Sequence, residues 1–248
     1  MDQQHDSFIL FDAANPSAGP NTARKVEAPS SDPSAPSTTN QAAPHLILFH
    51  GASQPIDSPF FNDLTQALTG QGINVHRAEL PYMAQRRETG RRRPPPRIER
   101  LLPQARDIVA EIIDRLPASE NETSQNRLII GGKSMGGRLA SLLATDPSTM
   151  QLADGAVAIG YPFHPPKTPD KLRTAHLQQV SKPMLIIQGE RDPFGTRAEV
   201  ASYDLDQRIE FVWLKDGDHD LKPRKASGLT WQTHITAAAD AVAEFASR

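Results

Sequence analysis

Leu128-Ile129-Ile130-Gly131-Gly132-Lys133-Ser134-Met135-Gly136 joins a short apolar strand pattern to an amphipathic helix pattern in which Met135, Leu139, Leu142 and Leu143 recur at helical spacing. A serine in the middle of Gly-x-Ser-x-Gly at such a junction is a nucleophile elbow. The tight turn holds the serine in a strained conformation at the strand tip, and the glycines two positions to either side let strand and helix pass closely. Gly132-Lys133-Ser134 also matches the end of a phosphate-binding loop, G-x-x-x-x-G-K-[ST]. That reading requires glycine at position 127, which is Arg127, and a flexible anion-cradling loop where the sequence instead has a strand. A lone Gly-x-Ser-x-Gly can arise by chance in a glycine-rich turn, so the elbow has to be judged by its partners.

The remainder of the chain supplies an architecture for that turn. From His45 onward, apolar runs of strand length (Leu46 to His50, Ile73 to Glu79, Leu128 to Ile130, Ala156 to Tyr161, Met184 to Gln188 and Ile209 to Leu214) alternate with helical patterns. Continuous apolarity in the runs points to strands buried on both faces. Ser58-Pro59 marks the start of a helix through Phe60, Leu64 and Leu68. A second follows Leu101, Ala105, Ile108, Ile112 and Leu116, Thr196 and Glu199 form a capping box for a third, and Ile235, Ala238, Val242 and Phe245 line the last. This order predicts an α/β fold with a doubly wound, mostly parallel sheet and helices on both faces.

Composition bounds the rest. The chain has 248 residues, 38% hydrophobic and 23% charged, enough for one core of ordinary size. With 27 basic and 29 acidic residues the net charge is −2, which gives no global attraction to nucleic acid or to an anionic membrane. The absence of cysteine excludes disulfides, thiolate zinc sites and a cysteine nucleophile. Met1 to Asp6 carry no positive charge, Phe8 to Phe11 is too short for a signal segment, and no run is long enough to span a membrane, so the expected location is cytoplasmic. Asp12 to Pro44 is rich in Ala, Pro, Ser and Thr, with Val26 its only large apolar side chain. Ordering such backbone costs about 1–2 kcal/mol per residue with no burial to offset it. The expected division is therefore a mostly disordered segment 1–44, with an edge strand at 8–11, followed by a domain over 45–248.

In a sheet of this kind the active groups lie on loops at the carboxyl ends of strands. Asp192 follows the run Met184 to Gln188, and His219 follows Ile209 to Leu214, giving the chain order Ser, Asp, His expected for this elbow. A serine hydroxyl is nearly inert, so His219 is assigned as the base that takes its proton and returns it to the leaving group, and Asp192 as the carboxylate that orients the imidazole. Asp216 and Asp218 are the alternatives for the acid. The oxyanion needs two backbone donors, assigned to the N–H groups of Met135 and Ala52. His50 and His164 also end strands but are read as structural, because neither follows the last strand. Glu190 and Arg191 are read as a loop brace. No metal and no cofactor is required by this chemistry.

His50-Gly51-Ala52 with Asp57-Ser58-Pro59-Phe60, Pro81-Tyr82-Met83, Gly131 to Arg138, Gly160 to Pro166, Gln188 to Gly195 and Asp216 to His219 resemble the α/β-hydrolase superfamily, and more narrowly its dienelactone-hydrolase-like, KANL/Tex-type group. The resemblance spans about residues 45 to 248. It implies an α/β-hydrolase fold and a serine hydrolase activity whose natural substrate varies across the group. Some eukaryotic relatives serve as scaffolds of chromatin complexes, so the alternative is a catalytically idle interaction module. Two departures stand out: Ser53-Gln54 occupies the place of a glycine-rich oxyanion turn, and the amino-terminal strands of the fold are shortened or replaced by the Pro/Ser-rich segment. Dienelactone hydrolases use a cysteine nucleophile, which this chain lacks.

Arg86 to Arg106 contains eight arginines against Glu88 and Glu99, with Pro94-Pro95-Pro96 between them. The segment leaves the sheet at its carboxyl edge. Arg91, Arg92 and Arg93 are assigned to recognising a carboxylate or phosphate on the substrate, which guanidinium groups grip bidentately; the alternative is a solvated basic loop tied to surface acids. No aromatic residues interleave the arginines, so nucleic acid is not expected. Little over twenty residues separate Tyr161 from Met184, too few for a large lid domain. The expected partner is a small ester or acyl compound, anionic if the arginines bind it; a peptidase would have to recognise an extended chain, and no sequence feature supports or excludes that option. Oligomeric state is not readable from the sequence.

Overall fold

A computed structural model describes residues 8–16, 43–91, 94–116, 127–149 and 151–248. The Pro/Ser-rich segment read as disordered falls mostly outside the described residues, as do Arg92 and Arg93. Strands β1 (Phe8–Asp12), β2 (His45–Phe49), β3 (Asn74–Glu79), β4 (Leu128–Lys133), β5 (Gly155–Ile159), β6 (Met184–Gly189) and β7 (Ile209–Leu214) form one seven-stranded sheet in the order β1-β3-β2-β4-β5-β6-β7. Strands β2 to β7 are parallel. Strand β1 alone is antiparallel, pairing Phe8 with Glu79 and Asp12 with Val75. Arg77 on β3 grips the Asp12 carboxylate at 2.8 and 3.0 Å and secures this edge.

Alternation along β2 sends its side chains to two different cores. Leu46 and Leu48 join the layer covered by α1 (Pro59–Gly70) and α6 (Trp231–Ala246), while Ile47 and Phe49 join the layer covered by α3 (Ile98–Arg115) and α4 (Met135–Thr145). Each such side chain taken out of water contributes roughly 1.5–3 kcal/mol. This two-sided burial explains why β2, β4, β5 and β6 read as largely apolar runs. Toward the far end of the sheet, Tyr161, Phe163, Leu177 and Val180, from the connection between β5 and β6, join Ala144 of α4 in packing on Ala156, Ala158 and Ile186. The connection is an irregular loop with one short turn at Ala175–Leu177, so no lid domain is inserted there.

Two local features depart from the sequence pattern. Ser58 stands at the start of α1 with Pro59 in the first turn, but its side chain makes no capping bond and its hydroxyl is buried without a partner. Thr196 does form the full capping box with Glu199, on α5 (Arg197–Val200). Helix α2 (Pro81–Thr89) has no counterpart in the periodicity because it buries only Met83 and Ala84. Its ends were nevertheless marked, by Pro81 in the first turn and by Gly90 in the left-handed region at φ 67°. Within the described residues no helix is long and apolar enough to cross a membrane.

Candidate active site

The chain passes from β2 outward to β3 and returns across β2 to β4, so the sheet changes winding direction between β2 and β4. A crevice forms at such a point, outside the carboxyl ends of the strands. The turn after β2 carries Gly51 and Ala52, and the turn after β4 carries Ser134. Ser134 has φ 53° and ψ −112°, a strained conformation for a residue with a side chain. The glycines make the turn possible: a Cβ on Gly132 falls 2.4 Å from the Gly136 carbonyl carbon, and one on Gly136 falls 2.3 Å from the Phe49 carbonyl oxygen.

Two further loops converge on the serine. Asp192 follows β6 and is fully buried; His219 follows β7. The loops approach so closely that a Cβ on Gly189 falls 2.4 Å from the carbonyl oxygens of Gly217 and Asp218. His219 Nδ1–H donates to Asp192 Oδ2 at 2.8 Å, and His219 Nε2 lies 2.8 Å from Ser134 Oγ. Since a carboxylate only accepts, the imidazole keeps its proton on Nδ1 and offers Nε2 as acceptor to the serine hydroxyl. The Phe194 ring lies 4.3 Å, centroid to centroid, from the imidazole.

The alternative acids are occupied elsewhere. Asp216 holds Arg224 and Arg191, and its carboxyl is kept well below the usual range chiefly by the Arg224 hydrogen bond. Asp218 accepts from the backbone N–H groups of Asp220 and Lys222 and shapes the histidine loop. Glu190 accepts from Arg197 and from the Asp216 N–H, while Arg191 donates to the Asp216 carbonyl, so the two residues brace the acid loop against the base loop.

Three buried side chains hold this arrangement: His50, which the sequence marks as structural, and Gln188 and Lys133, which sequence patterns did not single out. Gln188 donates from Nε2 to Asp192 Oδ2 at 3.0 Å and to the Tyr161 carbonyl at 3.1 Å, while its Oε1 accepts from Tyr161 N–H at 2.7 Å. Lys133, the residue before the nucleophile and only 1% exposed, donates from Nζ to the His219 carbonyl at 2.7 Å. Burial pushes its ammonium below its ordinary pKa, opposed by the nearby Asp220 and Asp192 carboxylates. His50 donates from Nδ1 to the Gly51 carbonyl at 2.7 Å and accepts at Nε2 from Leu80 N–H at 3.0 Å. Burial, above all, lowers its pKa to about 4, so it is a neutral strut for the turn after β2. His164 is likewise bound to backbone, donating from Nδ1 to the Pro165 carbonyl at 2.9 Å. The signal for Gln188 and Lys133 was a polar residue ending an otherwise apolar strand.

A cleft of about 430 Å³ opens over the serine, lined by Ser134, Met135, Ala52 and Phe194 among others. The N–H groups of Met135 and Ala52 make no hydrogen bond within the described residues, which leaves two donors free beside Ser134. Gln54, in the turn that lacks further glycines, donates to Asp220 Oδ1 at 3.2 Å and ties that turn to the histidine loop. Arg91 is exposed and is not among the cleft residues; Pro95, Pro96 and Arg97, from the same arginine-rich segment, are. Arg86 donates to the Ser53 carbonyl, Arg87 binds Glu79 and Asp57, and Arg106 binds Asp146, so much of the segment serves as bracing. Among the described residues no cluster of three or more His, Asp or Glu is placed to hold a metal ion.

No curated protein sequence matches this chain. Solved structures share its fold. Est1E from Butyrivibrio proteoclasticus superposes with a TM-score of 0.61 at 14% identity, covering 99% of this chain and 95% of its own. XC6422 from Xanthomonas campestris, described as an α/β serine hydrolase without lid, gives 0.59 at 14% identity, covering 95% and 88%. A dienelactone hydrolase from Anabaena variabilis gives 0.57 at 21% identity, covering 83% and 86%. The profile of a family described as an alpha/beta hydrolase domain matches residues 42–247. On that match, which takes in every parallel strand and all of the loops that meet at Ser134, the chain belongs to the α/β hydrolase family.

Proposed function

We propose that this chain is a serine hydrolase that cleaves small carboxylic esters or related acyl compounds through an acyl-enzyme on Ser134. The observation that supports this most strongly is the continuous hydrogen-bonded line from buried Asp192 through His219 to Ser134, with 2.8 Å at each step. In this reading Ser134 Oγ attacks the acyl carbon as its proton passes to His219 Nε2. The Met135 and Ala52 N–H groups stabilise the negative charge that develops on the carbonyl oxygen. When the tetrahedral intermediate collapses, the bond to the leaving oxygen breaks and His219 gives that oxygen the proton. Water then attacks the acyl-serine, again losing a proton to Nε2, and the acid leaves as Ser134 recovers its hydrogen. Asp192 keeps the imidazole in the Nδ1–H tautomer and stabilises it while it is charged.

The esterase and serine hydrolase names of the proteins that share the fold agree with this chemistry. A cleft of about 430 Å³ suits a compact substrate. An idle scaffold gives no account of a serine held at φ 53°, a conformation that costs of order 1–3 kcal/mol and here aims the hydroxyl at His219, itself bonded to buried Asp192. The test is covalent labelling with a fluorophosphonate probe, with the adduct mapped by mass spectrometry. Labelling confined to Ser134 and lost in Ser134→Ala is the expected result. A folded protein that takes up no probe would instead favour the interaction module.

A further inference from the structure

Two cations in the cleft have nothing acidic to hold. Arg138 lies on α4, one turn after the nucleophile, and Arg173 lies on the connection between β5 and β6; both line the cleft with Ser134 and both are partly buried. Among the described residues neither forms an ion pair. Arg138 Nε is shut off from solvent with no hydrogen-bond acceptor, and Arg173 Nη1 reaches only the Pro162 carbonyl, at 3.5 Å. By contrast Arg77, Arg87, Arg106, Arg191, Arg208 and Arg224 each grip a carboxylate.

The surroundings increase the imbalance. Arg173 is drawn below the ordinary arginine range, first by burial and then by the charge of Arg138. His176, packed nearby with its Nε2 2.8 Å from Ser141 Oγ, is held to a pKa of about 4 by burial and then by Arg138, so it is neutral and contributes no compensating charge of either sign. Arg97 adds a third guanidinium to the cleft lining, and exposed Glu99 is the single carboxylate there among the described residues. Partly dehydrated cations that repel one another are unfavourable in the free protein. An oxygen anion placed between them relieves both penalties and satisfies their N–H donors, and guanidinium forks match carboxylate and phosphate oxygens in geometry.

We propose that Arg138 and Arg173 form an anion subsite in the cleft, which selects esters that carry a second, ionised acid group, a carboxylate or a phosphate, beside the bond to be cleaved. This assigns the substrate class of the site and rests on the reading of Ser134 as its nucleophile. It places recognition on the nucleophile helix and the β5–β6 loop rather than on Arg91, which is exposed and outside the cleft lining.

The test compares p-nitrophenyl valerate with the mono-p-nitrophenyl ester of glutaric acid, which has the same number of acyl carbons and a terminal carboxylate. The wild-type protein is expected to prefer the glutarate ester by about 10- to 100-fold in kcat/KM, the scale of one or two charged hydrogen bonds. Arg138→Met and Arg173→Met are each expected to lower that ratio about tenfold, and Arg138→Lys to retain part of it. A wild-type protein that prefers valerate, or a ratio unchanged in both folded variants, overturns the subsite. A second arm needs no turnover: glutarate and inorganic phosphate are titrated calorimetrically into Ser134→Ala, alone and with Arg138→Met. Binding of either anion that the arginine substitution abolishes supports the subsite even if no ester is hydrolysed, and the stronger of the two identifies the acid group. No binding of either overturns it, whatever becomes of the hydrolase reading.

Discussion

The loops that carry Asp192 and His219 and the wall that carries Arg138 and Arg173 face the same cleft, yet they handle charge in opposite ways. On the loop side each charge has a partner: Asp192 accepts from His219, Gln188 and the Phe194 N–H, and Lys133 holds the His219 carbonyl. On the wall side two guanidiniums are half-buried with no counter-ion in the described residues. The lesson is physical. Groups that must keep one geometry are cross-braced by the fold itself, whereas groups that meet a ligand keep their bonding capacity free until it arrives.

The largest effect should come from breaking the braced side. Asp192→Asn leaves the shape of the site in place but presents the wrong hydrogen-bonding partner to His219 Nδ1, and is expected to lower kcat by roughly 10⁴-fold, about 5 kcal/mol in the barrier. Steady-state kinetics on the best ester found would show it; a loss under tenfold would point to another acid.

Two arginine substitutions sharpen the comparison at the level of stability. Arg87→Met strips fully buried Glu79 of its bidentate partner and is expected to cost about 3 kcal/mol, at the low end for a buried pair because Arg87 is itself 38% exposed. Arg138→Met removes no ion pair among the described residues, and should move the unfolding free energy by no more than about 0.5 kcal/mol or raise it. Urea midpoints for the two variants measure the difference directly. Equal losses would mean that Arg138 is structural.

A smaller effect on kcat than that of Asp192→Asn is expected at Lys133. As a positioning residue that acts through the His219 backbone, its replacement in Lys133→Met should reduce kcat by about 10- to 100-fold with KM little changed, the scale of one lost hydrogen bond to a charged group. A rise in KM at constant kcat would place Lys133 with substrate binding instead.

Much of the fold was legible because burial writes itself into local pattern. The six parallel strands lie within three residues of the ends read from the sequence, the largest gap being at β4, which runs on past Ile130 to Lys133; β2, β4, β5 and β6 are largely apolar because both faces of the sheet are covered. Helix α2 escaped because it rests on the surface with two buried residues and so leaves no periodic stripe. The site was legible in kind. Ser134, Asp192 and His219 could be selected because each directly follows a strand, and strand ends converge in a parallel sheet. The bracing by Gln188 and Lys133 was not, because a polar residue closing a strand looks the same whether it faces solvent or a neighbouring loop.

By itself the sequence determined the residue types and their order: a serine on a glycine-flanked turn, then an acid, then a histidine, each at the tip of an apolar strand. Those are properties of short stretches, set by backbone sterics and by the period of burial. Only the tertiary structure decided which of Asp192, Asp216 and Asp218 reaches the imidazole, and which arginines pair with acids while Arg138 and Arg173 remain open to the cleft. Such choices depend on distances between side chains far apart in the chain, and Coulombic and hydrogen-bonding energies fall off too steeply with distance for sequence order to reveal them.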